Sequence, residues 1–125
     1  MTAAEIGRLG EEYAAGWLTD RGYRLLERNY HSRYGEIDLI VEKGRVLAFV
    51  EVKTRRLDAI AAPCEWVTPQ KRKRLVNTAL QYLQEHPGPL QPRFDVMEIF
   101  TENRNEFAVS SIHHIENAFW LEGTV

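Results

Sequence analysis

The residues best placed to do chemistry lie in one stretch, Gly35 to Lys53, which runs GEIDLIVEKGRVLAFVEVK. Asp38, Glu51 and Lys53 stand there where a plain hairpin would carry apolar or surface residues. Two carboxylates are hard oxygen ligands of the kind that Mg²⁺ or Mn²⁺ accepts, the backbone carbonyl of Val52 could add a third oxygen, and the lysine sets a cation beside them.

Whether these groups meet depends on the elements that carry them. Gly35–Val41 and Val46–Lys53 are rich in β-branched and large apolar residues and are joined by Glu42, Lys43, Gly44 and Arg45, which predicts a strand, a turn and a strand. Side chains alternate along a strand, so Leu47, Phe49, Glu51 and Lys53 share one face, and Ala48, Val50 and Val52 share the other. Glu51 and Lys53 then stand about 7 Å apart. A two-residue turn at Lys43 and Gly44 sets Asp38 opposite Phe49, as the diagonal neighbour of Glu51 at about 7–8 Å. A three-residue turn that takes in Glu42, with Gly44 in a bulge, flips the parity and points Asp38 away. The plain structural alternative is that Lys53 pairs with Glu51 and Asp38 caps a turn, since exposed pairs of this kind are common and worth little. Against it, both carboxylates adjoin LIV and LAFV on strands of central character, where burial is costly without a cation to offset it.

Ahead of the hairpin, residues 3–21 have helical periodicity, with Ile6, Leu9, Tyr13 and Trp17 in a stripe that Leu18 widens, and Gly22 ends the helix. Glu11 lies in line with Ala14, Ala15 and Leu18 on the flank of that stripe, and Glu12 is turned away by about 100°. Small Gly7, Gly10 and Ala14 permit close approach to another element or to substrate. Residues 23–30 predict an edge strand and His31–Tyr34 a loop, in which His31 and Arg33 could contact a phosphate or simply be exposed. Thr54–Val67 has loop composition and the length of a substrate flap, with Trp66 packed on the core or stacked on a base. Thr68 and Pro69 start a second helix, to about His86, with Leu75, Val76, Ala79, Leu80 and Leu83 as its buried stripe and Lys71 at the edge. Strands follow at 93–100 and near 106–112, then a short helical or irregular tail, HIENAFWLEG, whose Phe119 and Trp120 cover the core or mediate self-association.

With 125 residues and 44% hydrophobic content, the chain is expected to form a single domain, 1–125, able to bury roughly two-thirds of its unfolded surface. It carries no apolar run of membrane-spanning length and no signal-like N-terminus, so a cytoplasmic protein without membrane attachment is expected. The single cysteine, Cys64, excludes an internal disulfide, and no Cys/His cluster has zinc spacing. Net charge is −2, unevenly spread: Lys53–Arg74 holds seven Lys or Arg against Asp58 and Glu65, while Leu75 to the end holds two Arg against seven acids. The basic region begins where the acidic motif ends, which could seat a phosphate backbone beside the metal site, although a KRKR run is also an ordinary solvated helix face. Cations at a helix start oppose the macrodipole, which points to an anionic partner there.

Taken together, GEEYAAGWL, GEIDLI, FVEVKTR, VTPQKRKRL and RFDVMEI resemble, in that order and over nearly the whole chain, the YraN-like uncharacterised proteins within the PD-(D/E)XK nuclease superfamily, to which archaeal Holliday-junction resolvases are related. The proline usual before the first aspartate is replaced by Ile37. The resemblance implies an α/β fold with a restriction-endonuclease-like αβββαβ core, a mixed sheet of four to five strands flanked by helices, the first helix on one face and the second on the other or at the edge. It matches Glu11 to the family's first acidic residue and Lys71 to a substrate-binding lysine after Val-Thr. Resolvase-like relatives act as dimers, which makes a homodimer an option.

The leading expectation is a divalent-metal-dependent nuclease acting on nucleic acid, DNA before RNA. Asp38 and Glu51, with the Val52 carbonyl, would ligate Mg²⁺ or Mn²⁺; Glu11 would supply an outer or second-metal contact; Lys53 would orient or help deprotonate the attacking water; Arg55, Arg56 and Lys71 would hold the backbone. The alternative is a nucleic-acid-binding module that keeps the fold without cutting, recognised by salt-sensitive binding and no metal-dependent product. A third option is an interaction protein whose carboxylates meet a basic partner surface.

Overall fold

Seven elements carry the fold in the computed structural model, which describes residues 1–57, 68–102 and 105–119. In chain order they are α1 (Ala3–Asp20), β1 (Arg24–Ser32), β2 (Gly35–Lys43), β3 (Val46–Arg56), α2 (Pro69–Glu85), β4 (Gln91–Thr101) and β5 (Val109–Phe119). The strands form one mixed sheet in the order β1-β2-β3-β4-β5. Among the described strands β3 and β4 run parallel and the other neighbours are antiparallel. This is an α/β architecture in the order expected of a restriction-endonuclease-like core, extended by β5.

Local chemistry starts both helices. Thr2 accepts from the Glu5 amide at 3.1 Å while the Glu5 carboxylate accepts from the Thr2 amide at 3.0 Å, a reciprocal cap that satisfies two otherwise free donors. Thr68 caps α2 through the Lys71 amide at 3.1 Å, and Pro69 follows at the first helical position, as the sequence predicts.

The sheet buries a core on each face. Ala14, Ala15 and Leu18 of α1 pack on Leu39, Val41, Ala48, Val50, Met97 and Ile99. Leu75, Val76, Ala79 and Tyr82 of α2 pack on Ile40, Leu47, Phe49 and Phe94. The buried line of α1 is therefore Gly10, Ala14, Ala15 and Leu18, whereas Tyr13, expected inside, is 41% exposed. Small residues win because the helix lies close: a Cβ on Gly10 would come 1.8 Å from Thr54 Oγ1. Gly7 has no such neighbour within 4 Å. On α2, Tyr82 is buried and Leu80 is 45% exposed, so its stripe is rotated from the expected one toward Phe49 and Tyr30, whose rings meet Tyr82 edge-on.

Four boundaries differ from expectation. The turn falls at Gly44 and Arg45, with Gly44 at φ +60° in the first central position, the place where a tight hairpin turn calls for glycine. His31 belongs to β1, paired with Glu36, and not to a loop. The tail expected to be helical or irregular is strand through Phe119, because His114, Ile115 and Phe119 pair with β4. Thr54–Arg56 likewise extend β3; the rest of the expected flap, with Trp66, and the terminal Trp120 lie outside the described residues. No helix among the described residues is long and apolar enough to cross a membrane.

Candidate active site

The site forms where β2 and β3 separate. Their ladder runs from Lys43↔Val46 to Leu39↔Val50, and the next residues on the two strands are Asp38 and Glu51. The pairing has slid two residues from the expected two-residue-turn register, so parity is kept and Asp38 meets Glu51 across the gap instead of diagonally.

Face alternation also breaks at this point: Leu39 and Val41 lie in the α1 core, but Ile37 joins Ile40 in the α2 core. Opposite the break, Asn29 of β1 is in the left-handed region at φ +50°. Released from the regular ladder, the Asp38 carboxylate turns toward β3 and accepts the Val52 amide at 2.8 Å. Leu47 and Phe49 fix the α2 side as the face of Glu51. There, Glu51 Oε1 is 3.7 Å from Lys71 Nζ in the first turn of α2.

Both acids hold protons far more tightly than free carboxyls. Burial pushes Asp38 up to about 6, with the charges of Glu11 and Glu36 adding to it against the Val52 amide. Burial and then the Asp38 charge push Glu51 up to about 8, with Lys71 opposing. Glu51 Oε2 is buried without a hydrogen-bond partner among the described residues. An added cation would relieve the repulsion and engage that oxygen. The donors are all oxygen, as Mg²⁺ and Mn²⁺ prefer. Among the described residues no three or more His, Cys, Asp and Glu are grouped as a metal cage. Mg²⁺ needs no such cage, since it commonly takes one or two carboxylates and completes its shell with water and substrate phosphate.

Glu11 comes from the neighbouring helix. Gly10 lets α1 sit against Thr54, so Glu11 Oε1 reaches Asn29 Nδ2 at 3.0 Å, and its charge is felt at Asp38. Lys53 follows Glu51 on the same strand and is exposed, with no ion-pair partner among the described residues. Arg55 is drawn elsewhere: its side chain is 10% exposed and its Nε lies 3.9 Å from buried Glu98, not beside the acid pair. Arg56 lies at the exposed end of β3 and lines a small depression with Ile6 and Glu102. Beside the acid pair, an open cleft of about 400 Å³ runs between Gly35 and Glu36 of β2 and Thr68, Gln70, Lys71 and Arg74 of α2.

Asn29, Glu36 and Arg74 are neighbours of the site that sequence reasoning did not single out. Asn29 had a signal, an asparagine interrupting a strand pattern that otherwise favours large residues. Glu36 had only its place beside Asp38, and Arg74 was one cation in a run.

Fold and site together define an α/β protein with a restriction-endonuclease-like arrangement and an acidic pair at the split of two sheet strands. Residues 10–99 match the model of the "Uncharacterised protein family UPF0102". A UPF0102 protein of Syntrophomonas wolfei is 47% identical over 116 residues, covering 92% of this chain and 97% of the relative. Those of Prosthecochloris aestuarii and Chlorobium chlorochromatii are 42% and 41% identical, covering 94% and 97% of this chain and 95% of each relative. The chain belongs to this YraN-like family, as its motifs predict.

Proposed function

We propose that the chain is a divalent-metal-dependent nuclease that hydrolyses phosphodiester bonds, in DNA before RNA. The observation that carries this reading is the pair Asp38 and Glu51, set face to face in a partly buried position with an unpartnered oxygen and cations close by.

Asp38 and Glu51 would hold Mg²⁺ or Mn²⁺, with the Val52 carbonyl as a further oxygen and Glu11 at the outer edge. Such an ion, when bound, acidifies its water and offsets charge on the phosphorane-like transition state. The chain's own groups supply the rest. The Val52 amide fixes the Asp38 carboxylate. Lys53 adjoins the pair with no ion-pair partner among the described residues; as an ammonium it is suited to orient the attacking water, and as the neutral amine to help take its proton. Lys71 and Arg74 flank the adjoining cleft, where a phosphate would draw the Lys71 ammonium away from Glu51 and leave that carboxylate to the ion. Arg55, turned to Glu98, is the least suited of the expected phosphate contacts.

The test is cleavage of labelled single-stranded, duplex and four-way-junction DNA and of RNA, with Mg²⁺ and with Mn²⁺. Activity is expected to fall about 10²–10³-fold or more in Asp38→Ala, Glu51→Ala and Lys53→Ala, with folding retained. Equal product in wild type and variants would refute the assignment. Salt-sensitive binding with no product would instead establish the non-cutting module.

A further inference from the structure

Asn29 is joined to two acids from two different elements. Its Nδ2 donates to Glu11 Oε1 of α1 at 3.0 Å and to Glu36 Oε1 of β2 at 2.8 Å. Both glutamates act on Asp38 through their charge. Like-charged groups around one point would swing apart into solvent unless tied, and one amide with two N–H bonds ties them. The backbone makes this reach possible: at φ +50° Asn29 leaves the regular strand, and asparagine is among the few side chains that enter this region readily.

We propose that Asn29 is the positioning residue of the acidic site, holding Glu11 and Glu36 toward Asp38 so that the site is preorganised for a divalent cation. The inference rests on the metal-dependent reading above. Asn29 touches neither ion nor substrate; it acts through the two glutamates. Each glutamate spends one oxygen on the amide. Glu11 Oε2 is left without a hydrogen bond among the described residues, and Glu36 Oε2 has only a long contact, 3.8 Å, to His31 Nδ1. These second oxygens are the groups that an ion's water shell would meet. Groups that orient the ligands of a metal typically change affinity by 10–100-fold when removed.

The decisive variant is Asn29→Gly, because glycine keeps the left-handed backbone and removes only the amide. Asn117→Gly is the control: Asn117 has the same conformation, φ +52°, in β5 away from the site. Mn²⁺ affinity is measured by calorimetry on the intact protein, together with thermal unfolding of the metal-free form. Asn29→Gly should bind Mn²⁺ about tenfold more weakly with unfolding unchanged, and Asn117→Gly should bind as the wild type does. Any cleavage lost in Asn29→Gly should return at raised Mn²⁺ concentration. Wild-type affinity in Asn29→Gly would overturn the role of Asn29 and leave the nuclease reading standing. Weakened Mn²⁺ binding in a protein whose wild type cuts nothing would keep Asn29 and sink the nuclease. A wild type that takes up no ion overturns both.

Discussion

Two acidic centres in this sheet, one buried and one partly buried, have opposite electrostatics. Asp95 on β4 is 1% exposed and fully engaged: Arg93 donates to both of its oxygens at 2.8 Å, the Asn117 amide to Oδ1 at 3.0 Å, and His114 Nε2 lies 2.8 Å from Oδ2. Burial alone would raise its proton affinity, but His114, Arg93 and the Asn117 amide outweigh burial and leave Asp95 below the usual carboxylate range. Asp38 and Glu51 sit at the split of β2 and β3 with too few donors, and both are raised. One acid serves the fold, tying β5 to β4 beside the register shift between Phe94 and Val96. The other pair weakens the fold, as the proposed metal-binding role requires.

Asp95→Ala should break this comparison hardest. It leaves the Arg93 guanidinium, 17% exposed, with only Tyr23 and the longer Glu116 contact at 3.7 Å, and His114, 8% exposed, beside it without its carboxylate. Loss of about 3–5 kcal/mol in urea unfolding is expected, as for other disrupted buried ion pairs. A loss below about 1 kcal/mol would show that water replaces Asp95 cheaply.

Gly10→Ala attacks the comparison from the helix. The added Cβ meets Thr54 Oγ1, so α1 must lift or Thr54 must turn, at a cost of about 1–3 kcal/mol. Thr54→Ala in the same chain should restore most of it, since Thr54 Oγ1 is itself buried without a partner among the described residues. No rescue would mean that the helix, not Thr54, gives way.

Glu51→Gln should be the smallest effect and opposite in sign, a gain on the order of 1 kcal/mol at pH 8 in the metal-free protein. The pH dependence sharpens it. Asp38 and Glu51 have folded values raised to about 6 and about 8, so their contribution is fully present below about pH 4 and is lost as pH rises through 6 and 8. Asp95 is lowered, so its contribution is present above the unfolded value of 3.8 and is lost as pH falls through its folded value. Urea midpoints of the metal-free wild type should therefore decline from pH 5 to pH 8, and Asp38→Asn with Glu51→Gln should flatten that decline. An unchanged slope in the double variant would assign it to other groups.

The sequence disclosed the parts of this contrast that depend on short-range pattern. The hairpin and the Thr68–Pro69 helix start follow from alternation and capping alone, whereas the grouping of Asp38 with Glu51 hangs on a turn register that alternation leaves open. Gly44 shows the limit: the observed pairing is slid two residues from the two-residue-turn option and keeps its parity, but pattern alone chooses neither that parity nor the facing partners. The α1 stripe was misjudged at Tyr13 because close packing on Thr54 favours the smaller side of the helix, a tertiary effect invisible in periodicity. The second half of the last strand was hidden because Glu116 and Asn117 have low strand preference, and the contacts of Asn117 with Asp95 and of Glu116 with Arg93, distant in sequence, compensate. Asn29 escaped for a related reason, its two partners lying 18 and 7 residues off in different elements.

Among the described residues, the non-glycine positions with positive φ are Asn29 and Asn117, and they lie in β1 and β5, the outermost strands of the sheet. Each interrupts the row of backbone donors and acceptors that a foreign strand would need. β1 adds an irregularity between Leu25 and Glu27 and exposed Arg24, Glu27 and Arg28, while β5 adds two shifts against β4. Both rims are thereby made poor templates for edge-to-edge growth, and the bend that brings the Asn29 amide to the acids also guards the sheet against aggregation.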